Sequence, residues 1–337
     1  MEMVVLENLV HRVVQAPMAG TSTPELAVTV CKAGGLGFVA LGALDAEGAG
    51  KAIRAVRQGT DRPFGVNLFC HAPARRNAGR EAAWIDTLRP AFQRFGAAPP
   101  ARLKEIYPGF GGNDAMLSVL LAERPAIVGC HFGLPRSDQI AALKAAGCRL
   151  WATATSVAEG RAIVDAGFDA IVAQGYEAGG HRGIFDPHGQ DGRLDHLALV
   201  QALSPLGLPV VAAGAIMDRA AARQAIAAGA VAVQCGTAFL RAPEAATPPA
   251  HRAALSGGRT AMTRAISGRP ARCLVNDFTA IEDAGAADYP VAYDIGKALN
   301  AAAMARGHAG YGAFWAGTGA AASVARPAAD TVLAISP

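Results

Sequence analysis

Eight short runs rich in β-branched residues, spread from residue 12 to residue 237, constrain what this 337-residue chain can fold into. They read RVVQA, LGFVAL, PFGVNLF, AIVGCHF, CRLWATA, DAIVAQG, PVVAAGA and VAVQCGT. Between several of them lie alanine-rich periodic stretches: TPELAVTVCKAG, SDQIAALKAAG, SVAEGRAIVDAG and DRAAARQAIAAG. Most open on a Thr, Ser or Asp suited to cap a helix, and each closes on the glycine that commonly ends one. A strand–helix unit repeated eight times predicts an α/β fold, a parallel (β/α)8 TIM barrel. An open doubly wound sheet is the competing arrangement, but it usually begins with a glycine-rich dinucleotide turn. Here QAPMAGTST follows the first run and contains no GxGxxG, while EGAGKA lacks the spacing and the Ser/Thr of a phosphate loop.

Two regions break the repeat. Residues 70–125 place two or three helices between the third and fourth runs, and residues 241–314 read as helical with loops. The chain thus divides into a barrel over 1–240 with an insertion near 70–125, a helical cap or substrate domain over 241–314, and a segment over 315–337 that returns to the barrel. The apolar runs are shorter than a bilayer span and are broken by Gly, Pro or charge, so no membrane segment is expected. The N-terminal MEMVVLENLVHRVV shows no signal-peptide pattern, which makes the cytoplasm the default location. The basic cluster HAPARRNAGR lacks interleaved aromatics and reads as a solvated face, so no nucleic-acid partner is expected. Six scattered cysteines without a CxxC pair read as reduced and buried, and no metal is expected.

In such a barrel the active site is built from the loops after the strands. Here they include APMAG, NLFCH, CHFGLP, QGYEAGGHRG, AAGAIMD and QCGTAFL. The last two supply small residues with bare amides, and Thr237 adds a hydroxyl, as phosphate sites after the seventh and eighth strands often do. Either loop alone would read as a turn that lets helices pack closely. Two in tandem, with Asn67 and Gln174 able to bond the edge of a planar heterocycle, point to a phosphate-bearing cofactor. His181, between glycines in GGHRG, is the candidate base or hydrogen-bond donor. Glu177 and Arg182 read as ion-pairing residues that shape its loop. His131 in CHFGLP either faces the same pocket or bonds backbone.

Taken in order, QAPMAG, GVNLF, HFGLP, QGYEAGGHRG and QCGTAFL resemble the nitronate monooxygenases, formerly called 2-nitropropane dioxygenases, over nearly the whole chain. The resemblance implies an FMN-dependent (β/α)8 barrel with a helical cap, and His181 as catalytic base or substrate contact. It further implies that Pro17, Met18, Ala19, Asn67, Gln174, Gly179, Gly180, Gly214, Ala215, Gln234, Cys235, Gly236 and Thr237 hold FMN. Family members commonly carry paired glycines after strand seven, where this chain has Gly214-Ala215. NADH:quinone reductases and enoyl-acyl-carrier-protein reductases keep a similar GGH loop, and the cap discriminates. Tyr289, Tyr293 and Lys297 recur every fourth residue, as on one face of a helix. With Tyr107 and His131 they resemble the class I pattern, whose best substrate is propionate 3-nitronate. The implied activity is oxidative denitrification of a small nitronate or nitroalkane with O2; the oligomeric state is left open, a homo-oligomer included.

Overall fold

The computed structural model describes Leu6 and residues 9–337. Most of the N-terminal MEMVVLEN, read above for targeting signals, lies outside them. Each of the eight runs contains a strand: β1 (Val13–Gln15), β2 (Phe38–Ala40), β3 (Gly65–Phe69), β4 (Ile127–His131), β5 (Arg149–Ala154), β6 (Ala170–Gln174), β8 (Val210–Ala213) and β9 (Ala232–Cys235). They form one parallel sheet in the order β1-β9-β8-β6-β5-β4-β3-β2. The two ends of that order meet: Leu36, just before β2, bridges Val14, and the Gln15 side chain accepts the Phe38 amide at 3.0 Å. The sheet is therefore a barrel, not an open doubly wound sheet.

Eleven helices accompany it among the described residues: α1 (Pro24–Lys32), α2 (Ala46–Gly59), α3 (Ala78–Arg94), α4 (Asp114–Glu123), α5 (Ser137–Ala145), α6 (Val157–Asp165), α7 (His196–Leu203), α8 (Arg219–Ala227), α9 (Pro249–Ala254), α10 (Val291–Met304) and α11 (Ala328–Ile335). The caps expected from sequence are present. The side chains of Thr23, Ser156 and Asp218 accept the amides of Leu26, Glu159 and Ala221, a bond worth about 1 kcal/mol each. After α5 the chain leaves the helix at Gly147, where φ is +88°, a conformation that suits glycine.

The last helix completes the ring. Ala328, Val332 and Ile335 of α11 join the core between sheet and helices, and α11 packs on α1 and α8. Everything between β9 and α11 is thus inserted into the eighth strand–helix unit. A second apolar core joins Trp84, Leu88 and Phe92 of α3 to Ile295, Leu299 and Ala303 of α10. The 70–125 insertion therefore splits: α3 joins this second core, while Met116 and Leu120 of α4 belong to the barrel core.

The helical reading of 241–314 needs correction. This segment also holds two strands, β10 (Thr260–Thr263) and β11 (Ala271–Leu274), paired antiparallel. On the other side β11 pairs with β7 (Gly180–His181), inside the loop after β6. Four-residue strands carry little local signal, because their stability comes from pairing, here partly with a strand ninety residues away. Among the described residues no helix is long and apolar enough to cross a membrane. All six cysteines are buried and unpaired.

Candidate active site

Side-chain alternation along the strands makes the floor of the site. Val14, Leu36, Phe38, Ile127, Trp151, Val172, Val211 and Ala232 form an apolar core of their own within the sheet. Counting on by two from Ile127, Trp151, Val172 and Ala232 brings His131, Thr153, Gln174 and Gln234 to the same face nearer the strands' carboxyl ends. Asn67 takes that place on β3.

This polar layer is largely occupied with holding the His181 loop. Gln174 donates to the His181 carbonyl at 2.9 Å and accepts the Gly183 amide at 2.7 Å. His131 faces the same carbonyl with Nε2 at 3.3 Å, and its Nδ1 lies 3.0 Å from the Thr153 hydroxyl. Only an acceptor can face N–H, so Nε2 carries the proton and Nδ1 accepts from Thr153. Both nitrogens of His131 are engaged, which leaves it the backbone-bonding role rather than a ligand contact in this arrangement. Asn67 makes only a 3.5 Å bond to the Leu68 carbonyl, and its amide retains further bonding capacity.

Five arginine and glutamate side chains fix the rest of the loop. Arg182 is fully buried, binds Asp191 with two 2.9 Å bonds, and donates to the carbonyls of Gln174 and Gly175. Glu177 pairs with His196 and accepts its amide at 2.9 Å. Three arginines from beyond β9, which the sequence reading passed over, hold loop carbonyls from the other side. Arg272 bonds that of Tyr176, Arg269 those of Arg182, Ile184 and Phe185, and Arg264 that of Pro187. The available signal was three arginines within nine residues of an otherwise apolar stretch, TRAISGRPAR.

His181 is thereby locked by β-pairing to Ala271, and its side chain meets the cap. Nε2 lies 2.9 Å from the Ser267 hydroxyl, and among the described residues no hydrogen bond engages Nδ1. Ring centroids of Tyr289, Tyr293 and Trp315 lie 5.5, 6.0 and 4.9 Å from that of His181. Burial, then the Arg269 charge, pushes His181 down to about 3, so the imidazole is neutral near pH 7. Burial raises Tyr289 and Tyr293 far above ordinary phenol values, so both keep their O–H. Tyr289 is 4% exposed, and no hydrogen bond among the described residues engages its hydroxyl.

The every-fourth-residue reading of the cap needs one change. Tyr289 lies outside the helix: its peptide bond to Pro290 is cis, and α10 starts at Val291. It still shares the His181 side with Tyr293. Lys297 is exposed at the rim, donates to the Tyr107 hydroxyl, and rests 4.9 and 5.5 Å from the ring centroids of Tyr107 and Tyr293. A cleft of about 490 Å³ opens beside Tyr107 over the ends of β2 and β3, away from His181.

The adjacent ends of β8 and β9 offer bare backbone. Among the described residues no hydrogen bond engages the amides of Gly214, Ala215, Ile216, Gly236, Thr237 or Ala238. Ala215 sits at φ +35°, where glycine is the usual occupant. The Thr237 hydroxyl accepts the Gly317 amide at 3.0 Å, which ties the chain before α11 to this loop. Gly179 is required by that same chain: a Cβ there would lie 2.4 Å from the Gly317 nitrogen. A Cβ at Gly180 would meet nothing closer than Trp315 at 4.0 Å, and one at Gly236 would lie 3.5 Å from the Met18 sulfur. Met18 belongs to the Pro17–Ala19 turn after β1, where its amide donates to Ser22. Cys235 faces the helices instead: it belongs to the core outside the strands, and burial pushes its thiol up to about 12.

Comparison with known proteins agrees with this architecture. The nitronate monooxygenase family model matches residues 2–335. The chain belongs to the nitronate monooxygenase family. It is 53% identical to a nitronate monooxygenase of Paraburkholderia phytofirmans over 328 residues, covering 95% of this chain and 90% of that protein. It is 50% identical to one from Pseudomonas aeruginosa over 326 residues, covering 94% and 93%. Among solved structures, nitroalkane oxidase from Streptomyces ansochromogenes superposes with a TM-score of 0.89 at 38% identity, covering 98% of this chain and 95% of that one. FabK from Thermotoga maritima superposes with a TM-score of 0.74 at 28% identity, covering 98% and 93%. Family membership makes this chain an oxidoreductase.

Proposed function

We propose that the chain is an FMN-dependent nitronate monooxygenase that oxidises small alkyl nitronates, propionate 3-nitronate among them, with O2. The residues present fit FMN. Six unengaged amides at neighbouring strand ends suit its phosphate. Gly180 and Gly236 leave room beside them, and Asn67 and Gln234 stand at the mouth with amide groups for a heterocycle's edge. FMN, when bound, supplies the electron chemistry between nitronate and O2, which ends in a carbonyl compound and an oxidised nitrogen product.

The chain's own residues receive the anion. His181, neutral and anchored through Nε2 to Ser267, has Nδ1 available to accept a proton from the carbon of a neutral nitroalkane. With the opposite tautomer it donates to a nitronate oxygen. Tyr289 and Tyr293 add phenol O–H donors from above. Lys297 donates to the oxygen of Tyr107, so the Tyr107 proton is left to point at a ligand, and the ammonium offsets a second carboxylate at the rim. The observation that carries this reading is the meeting of His181, Tyr289 and Tyr293 on a loop whose other end, Ala178 and Gly179, reaches Gly214 and the Gly317 amide held by Thr237. Buried unpaired cysteines accord with a reducing compartment, and we place the activity in the cytoplasm.

The test is spectroscopic. The protein should be yellow, release FMN rather than FAD on denaturation, bleach anaerobically with propionate 3-nitronate, and take up O2 with it. Rapid anaerobic bleaching by NADH, with none by a nitronate, would establish a reductase on this scaffold instead. His181→Asn should retain FMN and lose at least ~10²-fold activity on a neutral nitroalkane, with a smaller loss on the preformed nitronate.

A further inference from the structure

One of the two most deeply buried cations near the pocket has no acid in contact with it. Arg269 is 2% exposed, and among the described residues no carboxylate oxygen lies within 4.0 Å of its guanidinium. Arg182 is as deeply buried but holds Asp191 with two bonds. The carboxylates of Glu159 and Asp288 act on Arg269 only from beyond contact distance, and Glu159 accepts from Thr155 and the Phe185 amide. Arg269 is held instead by the carbonyls of Arg182 at 3.4 Å, Phe185 at 3.5 Å and Ile184. The ring centroid of Phe132 lies 4.1 Å from its guanidinium carbon. Carbonyls and rings are dipoles and quadrupoles, so they steady the guanidinium without cancelling its charge. Phe132 has φ +75°, rare for a bulky residue. In that conformation its ring packs against Arg269 and also against His131 and His181, at centroid distances of 4.4 and 5.7 Å.

We propose that Arg269 is a positioning residue that makes the pocket select an anion: its charge, with no carboxylate in contact and set behind Phe132, favours the nitronate over the neutral nitroalkane of the same skeleton. The proposal rests on the nitronate reading above. It agrees with the neutrality of the two imidazoles, both pushed down to about 3 by burial and then by Arg269. Those rings bring no charge of their own, Lys297 is exposed at the rim, and Arg272 lies at the far end of the loop against the Tyr176 carbonyl.

The experiment compares wild type, Arg269→Gln and Arg269→Lys on a short alkyl nitronate and its parent nitroalkane. Arg269→Gln should lower kcat/KM for the nitronate about tenfold more than for the nitroalkane, chiefly through KM, as expected for one charge lost at medium range. Arg269→Lys should restore the ratio. Equal losses on both substrates, or a lysine variant no better than glutamine, would overturn the proposal. Should the variants not fold, inhibition of the Lys297→Met enzyme by propionate and by propionamide decides. Propionate should bind at least ~10-fold tighter with the rim lysine gone; equal binding refutes the assignment. Wild-type protein that turns over no nitronate would instead refute the functional reading beneath it.

Discussion

Acid should destabilise this protein at a pH where its carboxylates are still ionised. Burial, helped by the Arg269 charge, pushes His131 and His181 down to about 3, and burial pushes His251 down to about 4. In the unfolded chain each titrates near 6.5. Below that value the unfolded state takes up protons that the folded state refuses, so stability present above pH 6.5 is lost as pH falls. For one histidine the loss between pH 6.5 and 5.5 is about 1 kcal/mol, so these three give about 3 kcal/mol, and His71, lowered chiefly by burial, adds in the same direction. Set against a typical total of about 5–15 kcal/mol, that is a large fraction. Glu81, Asp138, Glu177 and Asp191, whose folded values are lowered, lose their contributions only below about pH 4.5, so the window between belongs to the histidines. Urea unfolding followed by tryptophan fluorescence should show the midpoint falling by about 1 M between pH 6.5 and 5.5, for a slope near 3 kcal/mol/M. His251 stacks on Phe314 at 5.0 Å and bonds the Trp315 backbone, so His251→Phe should remove its own share of the pH effect, about 1 kcal/mol. A midpoint that stays put over this interval would refute the neutral-histidine account, and with it the availability of His181 as a base.

Three further outcomes are expected. Gly179→Ala puts a methyl against the Gly317 nitrogen and the Ala316 carbonyl carbon, at 2.4 and 2.5 Å. It should displace the chain before α11 and lower the flavin content of the purified protein; full occupancy would show that this contact does not shape the cofactor site. Ala215→Gly relieves a left-handed alanine at φ +35°. Strain relief of about 1–2 kcal/mol exceeds the backbone entropy cost of about 0.4–1, so calorimetry should show Tm rising by roughly 2 °C, and a fall would contradict the strain. Lys297→Met should lower kcat/KM for propionate 3-nitronate about fivefold to tenfold, the low end for a charged hydrogen bond because the ammonium is exposed. A simple alkyl nitronate should suffer less, and oxygen uptake at constant ionic strength separates the two.

What the sequence could and could not reveal divides along contact range. Strand and helix boundaries were legible because each β-branched run, cap and terminal glycine acts within a few residues of itself, and Thr23, Ser156 and Asp218 cap as their spacing requires. The order of loops around the mouth follows from the same repeat, which is why His181 could be singled out. The cap was less legible because its structure depends on distant partners. ARCL is a strand between two partners, TAMT and the distant Gly180–His181, and Tyr289 leaves the helical register at a cis proline bond that no periodicity announces. Polar residues at strand ends carry a second task that the sequence did not show, for a related reason. Gln174 and His131 have the chemistry to touch a ligand, but the loop they support uses it first: Gln174 binds His181 and Gly183, and His131 spends both nitrogens on Thr153 and His181. Arg269 is the reverse case, a residue with no motif around it whose proposed role comes from having no acid in contact with it among the described residues. Residues that aim the site can therefore be as chemically distinctive as those that touch substrate, and only the hydrogen-bond partners of each nitrogen tell the two apart.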